Sequence, residues 1–166
     1  DPWVAVGAMA AVTERIRFFT SVFVLAMRNP FLVAKTVGTA AVMSAGRVEL
    51  GIGVGWMREE FALLGQVFDG RGQRTDEMMD VLRLLWQGGW VEHHGEHYDF
   101  DPLEMSPKPA EPIPIFVGGF SAPALRRAAR KADGWISDLH TTAELAELIP
   151  EVLRLRSEGE RAAEPF

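Results

Sequence analysis

The sequence predicts an α/β fold made of repeating parallel strand–helix units. Three observations point to it. Segments dense in β-branched and aromatic residues alternate with helical segments across short connections, the pattern of parallel crossover units. Two predicted strands end in glycine clusters, Gly51-Ile52-Gly53-Val54-Gly55 and Gly118-Gly119. The 166 residues are 48% hydrophobic and 24% charged, enough apolar material for one folded core.

The elements follow in order. Residues 3–12 are small and apolar and favour a short helix. Residues 15–25, RIRFFTSVFVL, read as a strand covered on both faces after Arg17. Asn29-Pro30 is an N-cap followed by a first-turn proline, and the helix it opens ends at Ala45-Gly46. Residues 47–54 form the second strand. A short helix over 59–64, a turn at Asp69-Gly70 and a helix over 73–87 follow. In that helix Met78, Val81, Leu82 and Leu85 make the buried stripe, and Asp76 and Glu77 sit near the start, where the dipole favours acids.

Residues 90–112 break the rhythm. Residues 90–93 and 97–100 pair as a hairpin around His94-Gly95, and prolines 102, 107, 109 and 112 make the rest extended or irregular. Alternation then resumes with a strand over 113–117, a helix capped by Ser121, a short strand over 135–137 and a helix capped by Thr142. The tail 159–166 is expected to fray.

Bulk properties exclude several classes. A formal charge of −6 argues against nonspecific affinity for nucleic acid or anionic membrane. Without cysteine there is no thiolate nucleophile, disulfide or Cys-based metal site. No apolar run is long enough for a membrane span, and Asp1-Pro2-Trp3 reads as the start of a piece cut from a longer chain rather than a signal peptide.

Glycines at a strand's C-terminal end let a ligand approach the backbone, or simply relieve crowding inside a sheet or barrel. In the first cluster Trp56 stands where a dinucleotide fingerprint needs its third glycine, which counts against that ligand. Gly118-Gly119-Phe120-Ser121 ends a strand and opens a helix, so its N–H groups suit a phosphate, or form a tight turn with an ordinary serine cap. His93, His94 and His97 lack an acidic partner at a ligand spacing, and no metal is expected. His140 follows a strand at the end where barrel enzymes hold their sites, though solvent is its default setting. Asp133 and Glu60 are candidate catalytic carboxylates, but Asp133 is rather expected to cap or position a turn and Glu60 to hold a loop or pair with an arginine. Arg71 and Arg74 are among the best anion contacts available.

The segments GRVELGIGVGWMREEFALLG, RGQRTDEMMDVLRLLW, SPKPAEPIPIFVGG and RRAARKADGWI, in this order, closely resemble the bacterial luciferase-like flavin monooxygenase superfamily, in particular its branch of F420-dependent oxidoreductases. The resemblance implies a TIM (β/α)8 barrel with an insertion, usually dimeric. Residues 15–25, 47–55, 113–117 and 135–137 would be its third to sixth strands. The chain is then one incomplete barrel domain, with 88–112 as the insertion, against about 250 residues for a full barrel.

The resemblance further implies F420, or alternatively FMN, at the C-terminal end of the barrel. The Ser21-Val22 peptide would be a non-prolyl cis bond behind the ring. Gly53, Gly55 and Trp56 would lie beside the ring and its ribityl chain, and Gly118, Gly119 and Ser121 at the phosphate. The chemistry implied is hydride transfer with a small organic substrate or, with reduced FMN, oxygen activation; the protein's part is to position the cofactor. A cytoplasmic homodimer is expected. The sequence departs from the family pattern at Phe19, where glycine is common, and at Ala26, where proline is frequent. Trp56 stands near the acid of the sugar-phosphate dehydrogenases. The usual catalytic histidine belongs to an earlier strand, so no catalytic residue is assigned. A cofactor-free binding or structural fragment is the alternative from another class.

Overall fold

A computed structural model describes all residues from 1 to 166. The helices are α1 (Pro2–Ala11), α2 (Pro30–Met43), α3 (Arg58–Leu63), α4 (Arg71–Gln87), α5 (Ala122–Lys131) and α6 (Thr142–Ser157). The strands are β1 (Phe18–Phe19), β2 (Phe23–Val24), β3 (Val48–Gly53), β4 (Trp90–His94), β5 (Asp99–Glu104), β6 (Ile115–Gly118) and β7 (Gly134–Ile136). The main sheet is parallel throughout: β1 and β2 both pair with β3, then come β6 and β7. β4 and β5 form a separate antiparallel hairpin. No helix is long and apolar enough to cross a membrane.

Strand alternation sorts the sheet's two faces. Val48, Leu50, Ile52, Ile115 and Val117 point to one face and are fully buried with Met78, Met79, Leu82 and Leu85 of α4 and Val37 of α2. Each such side chain contributes about 1.5–3 kcal/mol on burial. The other face carries mainly small and aromatic residues, together with Glu49 and Ile136. In register across it lie Gly51, Phe116 and Gly134. A Cβ at Gly134 would stand 2.5 Å from the Phe116 ring, so the glycine makes room for the phenylalanine. Phe19 meets Phe116 edge-on at 5.4 Å and is 44% exposed.

Capping chemistry sets most helix starts. Asn29 Oδ1 accepts from Phe31 and Leu32 N–H at 3.0 and 3.2 Å, with Pro30 in the first turn, as predicted. Thr141, one residue before the expected Thr142, caps α6 in a capping box with Glu144. The α4 helix begins at Arg71, after Gly70 in the left-handed region, so Asp76 and Glu77 lie beyond its first turn. Their role is tertiary rather than dipolar. Asp76 pairs with Arg127 of α5, while Glu77 accepts from the N–H groups of His97 and Tyr98, at 2.9 and 2.8 Å, and ties the hairpin to α4.

Three other expectations change. The strand predicted over 15–25 is two dipeptide strands interrupted at 20–22, and Leu25–Met27 is a turn of 3₁₀ helix. The second hairpin strand is 99–104 rather than 97–100, and it runs through Pro102. A two-stranded ribbon has an unpaired edge on each strand, where a missing N–H is tolerated. Residues 159–166, expected to fray, are turns docked on the body. Arg161 donates to the carbonyls of Lys131 and Ala132, both at 2.8 Å, and Arg156 to Pro165 O at 3.0 Å.

Candidate functional site

The break in the first strand organises the C-terminal end of the sheet. At Thr20 the side chain replaces the backbone in the ladder: Thr20 Oγ1 accepts from Gly51 N at 3.1 Å and donates to Gly51 O at 2.8 Å. A Cβ at Gly51 would lie 1.8 Å from Thr20 O, so only glycine fits there. The next peptide, Ser21–Val22, is cis. Val22 then lies across the neighbouring strands. A Cβ at Gly53 would be 2.8 Å from Val22 Cγ2, and one at Gly118 2.8 Å from Val22 Cγ1. Two glycines far apart in sequence thus accommodate one valine, whose exposed 41% forms an apolar wall above the strand ends. For Gly51, Gly53 and Gly118 the relief of crowding is what the geometry requires.

The loop after β3 is held rigidly. Gly55 has φ of 79°, and a Cβ there would meet Val24 Cγ1 at 2.8 Å and Phe61 at 2.9 Å. Gly55 O accepts from Arg71 Nε at 2.9 Å, and the Arg71 guanidinium stacks 3.7 Å from the Phe68 ring centre. Arg74 donates to Ala26 O at 3.3 Å and also to Val67 O. Both arginines proposed as anion contacts are therefore engaged with loop carbonyls. Their positioning role was not legible from sequence, because the acceptors are backbone atoms. Trp56, next in the loop, is 80% exposed.

The turn after β6 keeps a donor in reserve. Ser121 caps α5, its hydroxyl oxygen accepting from Ala124 N–H at 3.4 Å. Pro123 has no N–H, and Leu125 N–H reaches Ser121 O at 3.0 Å. The Ala122 N–H is the first-turn donor left without an internal partner. Trp135 Nε1 donates to Gly119 O at 2.7 Å and so orients the turn. His140, for which solvent was the default, instead joins an aromatic group. Its ring lies 5.1 Å from Phe120 and 6.2 Å from Trp135, and Nδ1 is 3.3 Å from Ser137 Oγ.

Other candidates fall elsewhere. His93 and His94 face opposite ways, as strand alternation predicts: His93 Nε2 meets Glu77 at 3.1 Å and His94 Nδ1 meets Asp99 at 2.6 Å. His97 Nε2 is buried without a partner. Burial alone would raise the Glu77 carboxyl, but the Tyr98 and His97 N–H groups and the His93 ring outweigh it and hold it below the usual carboxylate range. Asp133 positions its turn, as expected, at the N-terminal end of β6 and β7. It accepts from Ile115 N at 2.8 Å, Arg83 at 2.9 Å and Arg161 at 2.6 Å. Burial opposes its ionisation, yet these donors leave it below the ordinary aspartate value. Glu60 stands exposed on α3 without the expected arginine.

A family model described as luciferase-like monooxygenase matches residues 1–166. An uncharacterized protein of Mycobacterium tuberculosis is 44% identical over 166 residues, covering 100% of this chain and 57% of its own length. An F420-dependent glucose-6-phosphate dehydrogenase of Nakamurella multipartita is 34% identical over 139 residues, 82% of this chain and 40% of its own. The solved structure of an F420-dependent secondary alcohol dehydrogenase in complex with an F420-acetone adduct superposes with a TM-score of 0.84 at 25% identity, over 94% of this chain and 49% of that one. The chain thus spans about half the length of these relatives, and its parallel sheet resembles part of their TIM-barrel-like fold. Matched along its whole length, this chain belongs to the luciferase-like monooxygenase family.

Proposed function

We propose that the full-length protein is an F420-dependent oxidoreductase, with the cofactor seated over the C-terminal strand ends and β1/β2, β3, β6 and β7 as the third to sixth strands of its barrel. The observation that carries this is the wall formed by Val22 on Gly53 and Gly118, beside a helix-capping turn with an unpartnered N–H. The residues present fit such a group. An exposed valine backed by strand ends offers a flat apolar surface to a planar ring. The Ala122 N–H and the Ser121 hydroxyl, whose proton stays free to donate, suit a phosphate at the start of α5. F420, when bound, supplies hydride transfer.

The chain's own residues then position and shield. Arg71 fixes the loop carrying Gly55 and Trp56 through Gly55 O, and Trp135 fixes the phosphate turn through Gly119 O. Trp56 presents an exposed apolar surface near the place where the resemblance puts an acid in sugar-phosphate dehydrogenases, so we infer a less polar organic substrate. The relatives whose names specify F420 favour the deazaflavin. The family's own description, luciferase-like monooxygenase, favours the second reading, an FMN-dependent monooxygenase. Parallel titrations of the full-length protein with F420 and FMN, followed by cofactor fluorescence, separate the two. Saturable binding of F420 with weaker FMN binding supports the first reading, the reverse order supports the second, and binding of neither refutes both.

A further inference from the structure

Between β1 and β2 the chain gains one residue on its neighbour. Phe19 pairs with Glu49 and Phe23 with Ile52, so four steps along one chain match three along the other. Side chains alternate along a strand, and the extra residue reverses that alternation. Phe19 meets Phe116 on the half-open face of the sheet, whereas Phe23, four residues on, is buried in the core with Ile52. Residues 20–22 absorb the reversal outside the strands. Across this gap the Thr20 hydroxyl bonds both polar groups of Gly51, accepting from its N–H at 3.1 Å and donating to its C=O at 2.8 Å. A hydroxyl does both through one atom. Thr20 O rests on the same glycine, 1.8 Å from the place of a Cβ, and Ile136 Cδ1 lies 2.9 Å from that place.

Val22 stands two residues beyond this anchor. Its two methyl groups take the places that side chains at Gly53 and Gly118 would need, 2.8 Å from each Cβ position. Such apolar contact is non-directional and does not by itself fix how far the segment stands from the strand ends. The two hydroxyl bonds are directional. We propose that Thr20 is a positioning residue: its hydroxyl sets where Val22 stands over the strand ends and, through Val22, the affinity for the cofactor. The proposal rests on the seat of the cofactor on the Val22 wall argued above. Serine keeps the hydroxyl. Valine has the shape of threonine with a methyl group in its place, so it leaves the Gly51 N–H without its acceptor. The segment then relaxes away from Gly51 and carries Val22 with it.

The test is a double-mutant cycle in the full-length protein. Wild type, Thr20→Val, Val22→Ala and the double variant are titrated with F420, or with FMN if FMN binds the wild type more tightly, each well below its melting temperature. Each single substitution should weaken binding about tenfold. Because Thr20 acts through Val22, the double variant should also bind about tenfold more weakly than wild type, against about a hundredfold for independent sites. Thr20→Ser should rescue binding to within about twofold of wild type. Thr20→Ala, which also removes the hydroxyl, takes the place of Thr20→Val if the valine variant fails to fold. A lowered melting temperature with unchanged affinity in the hydroxyl-free variant is the mark of a purely structural role and overturns the proposal. Losses that add in the double variant, or a serine variant as weak as the hydroxyl-free one, overturn it too and leave the cofactor reading standing. Unchanged affinity in Val22→Ala overturns the seat on the wall together with the role of Thr20, and a wild type that binds neither cofactor overturns the cofactor reading as well.

Discussion

The two ends of the parallel sheet are built from different chemistry. At the N-terminal end two charged side chains, Asp133 and Arg47, are engaged by several partners each. Asp133 gathers Ile115, Arg83 and Arg161, and Arg47 donates to the carbonyls of Ser44, Ile16, Thr13 and Ala10 at 2.7–3.2 Å. At the C-terminal end Val22, Trp56 and Phe120 stand exposed beside the unpartnered Ala122 N–H, among exposed polar residues such as Ser21 and Ser121. Charged groups that gather backbone and side-chain partners in this way stabilise the fold. An end with an exposed apolar wall and a spare backbone donor is available to a ligand. This matches the general placement of sites on parallel β/α folds.

Substitutions sharpen that contrast. Gly51→Ala should have the largest effect, because its Cβ would fall on the backbone oxygen of Thr20 rather than on a movable side chain. A loss of about 3 kcal/mol or more is expected in denaturant unfolding, at the upper end for overpacked sites. Wild-type stability in this variant would mean that the Thr20–Gly51 ladder can shift freely.

Asp133→Ala should cost about 2–3 kcal/mol at neutral pH by leaving two arginines and an N–H without their acceptor, with cofactor affinity unchanged. Acid sharpens this test. Because the folded-state pKa of Asp133 is lowered, its stabilisation is fully present above the unfolded value of about 4 and fades as pH falls through the lower folded value. The stability gap between wild type and Asp133→Ala should therefore narrow on acidification. A gap that is constant from pH 7 to pH 3 would contradict the ionic role.

Trp56→Ala should change stability least, within about 0.5 kcal/mol, since the ring is 80% exposed. Its effect belongs in substrate turnover, where a fall in kcat/KM at wild-type melting temperature is expected.

These residues also show what a sequence can disclose. The β/α order, the Asn29 and Ser121 caps and the glycine clusters were legible, because periodicity and capping are local properties. The interruption at Thr20–Val22 was not legible from periodicity. RIRFFTSVFVL carries no breaker, and the break depends on a hydroxyl reaching Gly51 across the sheet; only the family resemblance pointed to Ser21-Val22. The glycine clusters stand out in the sequence, but the partner of Gly53 and Gly118 is Val22, and no spacing rule links those three positions. Glu77 and Asp133 looked like helix and turn residues because their tertiary donors, the 97–98 backbone and Arg161, lie 20 or more residues away.

The most direct test of the Val22 wall is the affinity of F420 for the full-length protein and its Val22→Ala variant, each measured well below its melting temperature. A wall that contacts the ring predicts a Kd weakened about tenfold by loss of the isopropyl group and its packing, for about 1 kcal/mol of fold stability. An unchanged Kd in the variant would contradict it and move the cofactor away from the glycine-lined strand ends.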